Sequence, residues 1–369
     1  LLPLAGALAA AGAEVVVASG AGVEDAVQAA GFECVTVGPG FGEWFGRLAG
    51  RTRGQPGAGL APEAVERYFV PRLFAEVGLD LMVDGLADLL RHQRPDLLVF
   101  EPYALAAPLA GALTGVPVVE HTIGLPPDPL VAELVRDAVT PAWVAAGVPA
   151  PGPFPAALTL DVCPPTLGGA VPDGRRRPLR PVPLPVAGEP LPVDLPHPGR
   201  PLVYFTLGTF SNSALDVFDL VLRALADLPV NVLVTAGDDE TAAALGERPG
   251  NAVVTGFLPQ AAVLPHCAAV VHHAGAGTTF GALAAGLPAL ALPQSADNFS
   301  IARRLDAVGA ARVLMPAAVT EDAVRAAVCD LLADAGTRAA AGRLAAEIAA
   351  MSDPYDMLPV LHSLARRAT

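Results

Sequence analysis

The chain has 369 residues, of which 53% are hydrophobic and 16% are charged, and its formal net charge is −14. This length suits two domains, and the apolar composition excludes a disordered chain. The acidic charge argues against nucleic acid as a partner, and every apolar run is interrupted well before about 18 residues, so we predict no transmembrane helix.

Short β-branched runs in the first half alternate with Ala- and Leu-rich stretches. The chain opens on a helix that leads into a strand, so we expect a further strand and loop before Leu1. Residues Pro62–Gln93 are predicted to be mostly helical, with a break near Pro71. The Gly- and Arg-rich segment Gly38–Gly59 is predicted to be a mobile loop that faces the substrate or acts as a lid. Strands are predicted at Glu14–Ala18, Glu33–Val37, Asp96–Phe100, Val116–Glu120 and Leu158–Val162.

Nine prolines lie between Val171 and Arg200. A segment this rich in proline is neither a helix nor a central strand. We therefore predict an interdomain linker, placed at residues 181–200. The basic run Arg175–Arg177 is interpreted as part of a solvated loop.

The second half repeats the alternation of strands and helices. Such alternation gives an open parallel sheet with helices on both faces. Two such halves make an α/β protein of two facing Rossmann-like domains, residues 1–180 and 201–352, with a ligand cleft between them. Residues 353–369 are expected to pack back on the first domain. Strands are predicted in PLVYFTLG, VNVLVTAG, NAVVTGF, PALALP and ARVL and at Ala268–His272, and helices at Ser213–Asp227, Ala261–Cys267, Thr278–Ala285 and Asp297–Val308.

The four cysteines are scattered and form no C-x-x-C pair. They are interpreted as buried, reduced thiols of a cytoplasmic protein, not as a zinc site or a disulfide framework. They are Cys34, Cys163, Cys267 and Cys329.

The stretch VVHHAGAGTT, from Val270 to Thr279, places two histidines at the end of a predicted strand. The small residues Ala274–Gly277 follow and let backbone N–H groups approach an anion, while the next helix adds a positive partial charge at its amino end. We predict a pyrophosphate site in which His272 packs and His273 faces the ligand. A tight turn with two ordinary histidines is the alternative.

A second turn of this kind follows the strand PLVYFTLG. Gly208, Thr209 and Ser211 come directly after it and are expected to open on the same edge as His273. The alternative is a simple helix cap at Ser211 or Ser213.

Two further segments have polar or aromatic groups at strand ends. In GFLPQ, Phe257 is predicted to stack on a base and the backbone at Leu258 to pair with the base edge, unless Phe257 is a core residue. In LPQSADNFS, Asp297 and Asn298 begin a helix, where they either bind sugar hydroxyls or cap the helix.

Taken in order, LGT, GFLPQ, LPHCAAVVHHAGAGTT and GALAAGLPALALPQSADN resemble the nucleotide-sugar signature of the GT-B glycosyltransferases. The likeness is greatest to the actinomycete enzymes that glycosylate polyketide and other natural-product aglycones. It spans about 95 residues, from Tyr204 to Asn298. The first half of the chain is also compatible with this family, in the segments RPDLLVFEPYALAAPLAGALTGVPVV and EHTIG.

The resemblance implies roles for individual residues. Asp297 and Asn298 would bind the donor sugar, although Asn298 stands where relatives have Gln and is shorter by one methylene. Gly281 stands where relatives that use ribonucleotide donors often carry Glu, which favours dTDP over UDP as the nucleotide. The nucleotide and its diphosphate would be bound by Gly208, Thr209, Phe257, Leu258, His273, Gly275, Ala276, Gly277 and Thr278.

The acceptor side is less complete. The family's base is a histidine in a loop before the first helix, and none of the seven histidines here is assigned to that role. Glu101 matches the acidic partner of that base, unless it is a strand-end carboxylate without a role. His121 is expected to line the acceptor pocket or simply a wall of the cleft.

The resemblance therefore implies an inverting glycosyltransferase that needs no metal or other cofactor, since no D-x-D motif occurs. It would move a sugar from a dTDP- or UDP-linked donor to a hydroxyl group of an apolar small-molecule aglycone. A nucleotide-sugar 2-epimerase and a non-catalytic partner of the same fold are the alternatives. The sequence leaves the oligomeric state open, a homodimer included.

Overall fold

The computed structural model describes residues 1–52, 57, 59–60, 62–150, 152, 156–169, 175–181, 190–208, 214–246, 248–295 and 297–366. The chain forms two compact units. The first unit contains Leu1–Cys163, Gly169–Leu179 and Ser352–Thr369, and the second contains Pro164–Gly168 and Arg180–Met351.

The first unit is built from short parallel strands and flanking helices. One sheet pairs β1 with β2, and a second sheet has the order β3-β4-β5-β6. The strands are β1 Val16–Gly20, β2 Glu33–Gly38, β3 Leu98–Phe100, β4 Val118–His121, β5 Leu158–Asp161 and β6 Arg176–Pro178. The α-helices are α1 Leu2–Ala10, α2 Glu24–Ala29, α3 Phe41–Thr52, α4 Pro62–Phe69, α5 Leu79–Gln93, α6 Ala106–Thr114 and α7 Pro129–Ala145.

The prediction of a loop over Gly38–Gly59 is wrong, because Phe41–Thr52 is a regular helix, α3. Trp44 and Leu48 are four residues apart, lie on one face of this helix and are buried against Leu73 and Val77. Burial of this pair compensates for the poor helix propensity of the three glycines in α3.

The segment after α3 is helical as predicted, but it changes form instead of breaking at Pro71. A π-helix, Val70–Gly78, joins α4 to α5. Pro71 has no N–H group and its ring crowds the preceding turn, which disfavours regular α-helical hydrogen bonding there.

The interpretation of Arg175–Arg177 as a solvated loop is wrong for Arg176. Residues Arg176–Pro178 form edge strand β6, which pairs with β5 through Thr159 and Asp161. The guanidinium of Arg176 lies 3.1 Å from the carboxylate of Asp161, whose side chain is 4% exposed. A buried carboxylate is unfavourable without an opposite charge or hydrogen bonds, so Arg176 lies in the sheet beside Asp161.

The second unit contains a six-stranded parallel sheet with the order β12-β11-β10-β7-β8-β9. Its strands are β7 Leu202–Thr206, β8 Asn231–Thr235, β9 Ala252–Thr255, β10 Ala269–His272, β11 Ala289–Ala291 and β12 Ala311–Val313. Its helices are α8 Leu215–Leu225, α9 Asp239–Ala244, α10 Gln260–Val263, α11 Ala276–Ala284, α12 Asn298–Ala307, α13 Glu321–Ala333 and α14 Ala335–Ala350. The chain then returns to the first unit in a 3-10 helix, Pro354–Met357, and α15, Leu358–Arg366.

Both faces of the central strands of this sheet are buried, so these strands are mostly apolar. Val203 and Phe205 of β7 pack into one core cluster, and Leu202 and Tyr204 pack into the cluster on the other face. The parallel sheets and their helices confirm the predicted α/β fold.

The four cysteines are free thiols: Cys163 is buried, Cys34 and Cys267 are partly buried, and Cys329 is exposed. The expectation that all four are buried is wrong, because Cys329 is exposed. Within the described ranges, no helix is both long enough and apolar enough to cross a lipid bilayer.

Candidate functional site

Most of the residues predicted to bind the donor lie at one edge of the six-stranded sheet. Gly208 follows β7, Phe257 follows β9, His273 follows β10 and Asp297 follows β11. All neighbouring strands of this sheet are parallel, so their carboxyl ends meet at the same edge. This is the edge at which open α/β sheets bind ligands. Thr209 lies outside the described residues, as do Ser211 and Ser213.

The turn between β10 and α11 presents free amide groups. Gly275 is the N-cap residue of α11, and the first bond of the helix runs from Thr279 N to Gly275 O at 2.9 Å. The N–H groups of Ala276, Gly277 and Thr278 precede this bond and have no acceptor within the helix. Apart from its chain neighbours and the backbone of its own helix, no atom of the described residues lies within 4 Å of the position that a Cβ at Gly277 would take. The turn can therefore accept an anion close to its backbone.

His272 is a structural residue of this turn, as predicted. It is fully buried, and its Nδ1 accepts a hydrogen bond of 3.0 Å from the backbone N–H of Ala274. Burial lowers the pKa of His272 to about 3, so the ring is neutral with its proton on Nε2. The bond holds Ala274 in a left-handed conformation with φ of 63°, which is unusual for a residue other than glycine.

His273 is held between two glycines. A Cβ at Gly208 would come within 2.6 Å of the Cε1 atom of His273, and a Cβ at Gly275 would come within 2.7 Å of the same atom. Burial lowers the pKa of His273 to about 4, so it is a neutral donor near pH 7. Its Nδ1 is buried, and no other described group forms a hydrogen bond with it.

A buried network of hydroxyl groups supports the turn at Gly208. The Thr206 hydroxyl accepts from Gly208 N at 3.2 Å and donates to the carbonyl oxygen of Thr235 at 3.0 Å. The hydroxyl groups of Tyr204 and Thr235 are 2.6 Å apart. These hydroxyl groups could not be predicted from the sequence, because a hydroxyl group inside an apolar strand pattern gives no signal until the strands are paired.

Gln260 is a second residue that sequence analysis missed. Its Nε2 donates to the Thr278 hydroxyl at 2.9 Å, at the start of α11. Its Oε1 would lie 3.4 Å from a Cβ at Gly281, and the Leu264 Cδ1 would lie 3.1 Å from the same Cβ. The space beside Gly281 is therefore bordered by Gln260, the last residue of the GFLPQ segment.

Phe257 is not a core residue, and that alternative is wrong. Its side chain is 67% exposed, whereas Leu258 is partly buried and packs against the core. Gly256 fixes this arrangement, because a Cβ there would come within 2.6 Å of Asp239 N. The chain therefore turns at the end of β9 and leaves an aromatic face uncovered.

Asp297 occupies the N-cap position of α12, but its carboxylate makes no capping hydrogen bond. Burial raises its pKa. Its neighbour Asn298 is buried, accepts from Ser295 N at 3.3 Å and donates to Asp297 Oδ1 at 3.5 Å. Asn298 thus orders the loop around Asp297. The Asp297 carboxylate can accept further hydrogen bonds from another donor.

In the first unit, Glu101 follows β3 and accepts a hydrogen bond of 2.8 Å from Tyr103 N. Burial, and then the charge of Glu120, raise the pKa of Glu101 to about 7. The Glu120 carboxylate accepts from the Thr159 hydroxyl at 2.9 Å, and burial raises its pKa as well. The carboxyl ends of β3 and β4 therefore hold two carboxyl groups in an apolar setting.

His121 ends β4, next to Glu120, and is 5% exposed. Its Nδ1 lies 2.7 Å from the carbonyl oxygen of Thr122 and must donate to it, so the neutral ring carries its lone pair on Nε2. Burial lowers its pKa to about 4, so the ring is neutral near pH 7.

Two family models match the chain. The erythromycin biosynthesis protein CIII-like N-terminal domain matches residues 63–168, and the C-terminal domain of the same family matches residues 219–364. The 10-deoxymethynolide desosaminyltransferase of Streptomyces venezuelae is 30% identical, over 99% of this chain and 93% of its own length. The chain belongs to the EryCIII-like glycosyltransferases. It is therefore an enzyme that transfers sugars, related to those of antibiotic biosynthesis.

Solved structures agree with this membership. The glycosyltransferase SnogD from Streptomyces nogalater matches this EryCIII-like glycosyltransferase with a TM-score of 0.75 and 30% identity, over 99% of this chain and 94% of that one. SsfS6 from Streptomyces sp. SF2575, complexed with thymidine diphosphate, matches with a TM-score of 0.79 and 27% identity, over 98% and 95%. This glycosyltransferase therefore has the GT-B fold.

Proposed function

We propose that this glycosyltransferase moves a sugar from a thymidine diphosphate donor to a hydroxyl group of an apolar natural-product aglycone. The second unit binds the donor and the first unit binds the acceptor. Transfer inverts the anomeric carbon and needs no metal ion. The observation that carries this proposal is the position of His273, which lies against Gly208 beside the amino end of α11.

The leaving diphosphate is stabilised by groups that are already in place. The free backbone N–H groups at the start of α11 and the imidazole N–H of His273 lie at one edge of the sheet. Negative charge develops there on the diphosphate as its bond to the sugar breaks. Preorganised donors of this kind lower the barrier because they need no rearrangement during the reaction. These donors stabilise the charge of the diphosphate, as a divalent cation does in other transferases.

The choice of dTDP over UDP rests on Gly281. No side chain extends from this position toward a ribose, and Gln260 and Leu264 border the space beside it. A deoxyribose has no 2′-hydroxyl that needs a partner, so the absence of a carboxylate costs nothing with dTDP. SsfS6, which has the same fold, was crystallised with thymidine diphosphate. Phe257 would stack on the thymine ring, and the backbone at Leu258 would pair with its edge.

In the transfer step, the acceptor oxygen forms a bond to the anomeric carbon while the bond from that carbon to the diphosphate oxygen breaks. The acceptor proton goes to a base, and dTDP leaves with the electron pair. Glu101 orients this base and stabilises its protonated form when the carboxyl group is ionised. Asp297 accepts hydrogen bonds from the sugar hydroxyls. The base itself is not assigned among the seven histidines.

The proposal is tested by incubating the protein with dTDP-α-D-glucose and a panel of hydroxylated macrolactones and hydroxyanthraquinones, with and without EDTA. We expect release of dTDP only when an acceptor is present, a β-linked product in the NMR spectrum, and the same rate with EDTA. A thermal-shift titration is expected to give a lower Kd for dTDP than for UDP. Binding of dTDP without any transfer would favour a non-catalytic partner, and an α-linked product or a loss of rate in EDTA would contradict the mechanism.

A further inference from the structure

A line of aromatic rings runs from α3 to the loop that contains Glu101. The ring centroids of Phe41 and Trp44 are 5.1 Å apart, those of Trp44 and Phe74 are 6.1 Å apart, and those of Phe74 and Tyr103 are 4.8 Å apart. The rings belong to α3, the π-helix and the loop after β3. We call Phe41, Trp44, Phe74 and Tyr103 the aromatic wall.

The wall is rigid because its central ring is fixed on several sides. The Trp44 indole N–H donates to the carbonyl oxygen of Pro39 at 3.0 Å. A Cβ at Gly78 would come within 2.7 Å of the Trp44 Cη2 atom, so the π-helix backbone packs directly on the indole. Trp44 is itself buried and backs Phe41 and Phe74, so these two rings lose little conformational entropy when a ligand covers them.

The outer part of the wall is uncovered. Phe41 is 51% exposed although it contacts the rings of both Trp44 and Phe74. One turn later on the same helix, Phe45 is 46% exposed and lies edge-on to Phe69 at 6.1 Å. Two large exposed aromatic side chains at i and i+4 form a contiguous apolar patch, and such patches on otherwise soluble proteins usually mark a binding surface.

The wall ends beside the carboxylate that serves the reaction. The backbone N–H of Tyr103, the last residue of the wall, donates to Glu101 Oε2. A molecule that lies along the rings therefore places its end near Glu101. Aromatic faces prefer other rings in offset or edge-to-face arrangements, an attraction that a saturated ring lacks.

We propose that the acceptor is a planar polycyclic aromatic aglycone, which lies along the aromatic wall with a ring hydroxyl group directed at Glu101. Phe41 is then a residue that determines specificity. This inference rests on the proposed function, because it names the acceptor of the same transfer reaction. A saturated macrolactone would gain apolar contact from the wall but not the ring–ring attraction.

The test compares two probes by isothermal titration calorimetry: 1,4-dihydroxyanthraquinone and a saturated 14-membered hydroxylactone. We expect the anthraquinone to bind the wild type at least about threefold more tightly. Phe41→Leu keeps an apolar side chain and removes the ring, so it should weaken anthraquinone binding about threefold to tenfold and leave lactone binding unchanged. Tyr355→Leu is the matched control, since Tyr355 is also exposed in the first unit but lies outside the wall; it should change neither affinity.

Tighter binding of the lactone, no effect of Phe41→Leu, or an equal loss for both probes would overturn the inference. Every preparation is also titrated with dTDP. Normal dTDP binding with no anthraquinone binding would contradict only this inference. If the wild type does not bind dTDP, the proposed function itself is contradicted.

Discussion

The imidazole ring of His273 lies against the backbone of Gly208, so closely that a methyl group on residue 208 would come within 2.6 Å of its Cε1 atom. Gly208 lies two residues after the end of β7, His273 directly follows β10, and these two strands are neighbours in the sheet. The contact joins the two turns that we propose to face the diphosphate, and a single methyl group is enough to separate them.

Gly208→Ala is therefore expected to weaken dTDP binding at least about tenfold. The new methyl group displaces His273, and a φ of +75° adds about 1 kcal/mol of backbone strain. Gly199→Ala is the matched control, because Gly199 has a φ of +85° but no atom within 4 Å of a new Cβ. It should lose similar stability in urea unfolding and keep its dTDP affinity in calorimetry. An equal loss of affinity in both variants would show that strain alone is responsible.

The two adjacent histidines are expected to respond differently to substitution. His273→Ala should raise the Kd for dTDP by about tenfold to a hundredfold with little change in the free energy of unfolding, since the ring donates to the diphosphate. His272→Leu should lower the free energy of unfolding by about 1–3 kcal/mol, because the buried N–H of Ala274 loses its acceptor. Chemical denaturation and dTDP titration of both variants separate the two effects. A larger loss of affinity in His272→Leu than in His273→Ala would reverse the assignment.

The sequence predicted the strands of the second unit well because buried parallel strands are continuous apolar runs bounded by turns. The prediction from the sequence was wrong at α3, because the glycines at 42, 46 and 50 suggest a loop. The helix forms because Trp44 and Leu48 are buried against a helix that is distant along the chain. The prediction also missed Gln260 and Thr206, whose partners come from other strands and helices. The roles proposed for Phe257 and Asp297 rest on the order of motifs along the chain, because each is an ordinary residue by itself.

Gly281→Glu is expected to shift the nucleotide preference toward UDP. A Cβ at this position needs small movements of the Leu264 methyl group and the Gln260 amide, both of which are ends of flexible side chains. The new carboxylate can then accept from a ribose 2′-hydroxyl, a hydrogen bond to a charged group worth about 1.5–3 kcal/mol. The ratio of the Kd for UDP to the Kd for dTDP should fall about tenfold in calorimetry. Gly281→Ala adds the Cβ without the carboxylate and should leave the ratio unchanged.

Glu101→Gln is expected to stabilise the folded chain above neutral pH. Burial raises the pKa of Glu101 from 4.5 to about 7 in the folded state, so between these values the folded state holds a proton that the unfolded state has lost. The contribution of Glu101 to stability is therefore greatest below pH 4.5 and falls as pH rises toward 7. Glutamine does not titrate, so the variant should exceed the wild type in stability by about 3 kcal/mol at pH 8 and match it near pH 4. A variant less stable than the wild type at pH 8 would contradict the apolar setting of this carboxyl group.

The same carboxyl group should set the pH dependence of transfer. Ionised Glu101 stabilises the protonated base, so kcat/KM is expected to rise with pH through an apparent pKa of about 7 and to fall at least about a hundredfold at all pH values in Glu101→Gln. Glu120 provides the matched control, because its negative charge raises the pKa of Glu101. Glu120→Gln removes that charge, so its profile should keep most of the plateau rate and shift to lower pH. If Glu120→Gln instead loses the plateau value of kcat/KM and keeps the midpoint pH of the wild type, then Glu120, and not Glu101, is the carboxylate that serves the base.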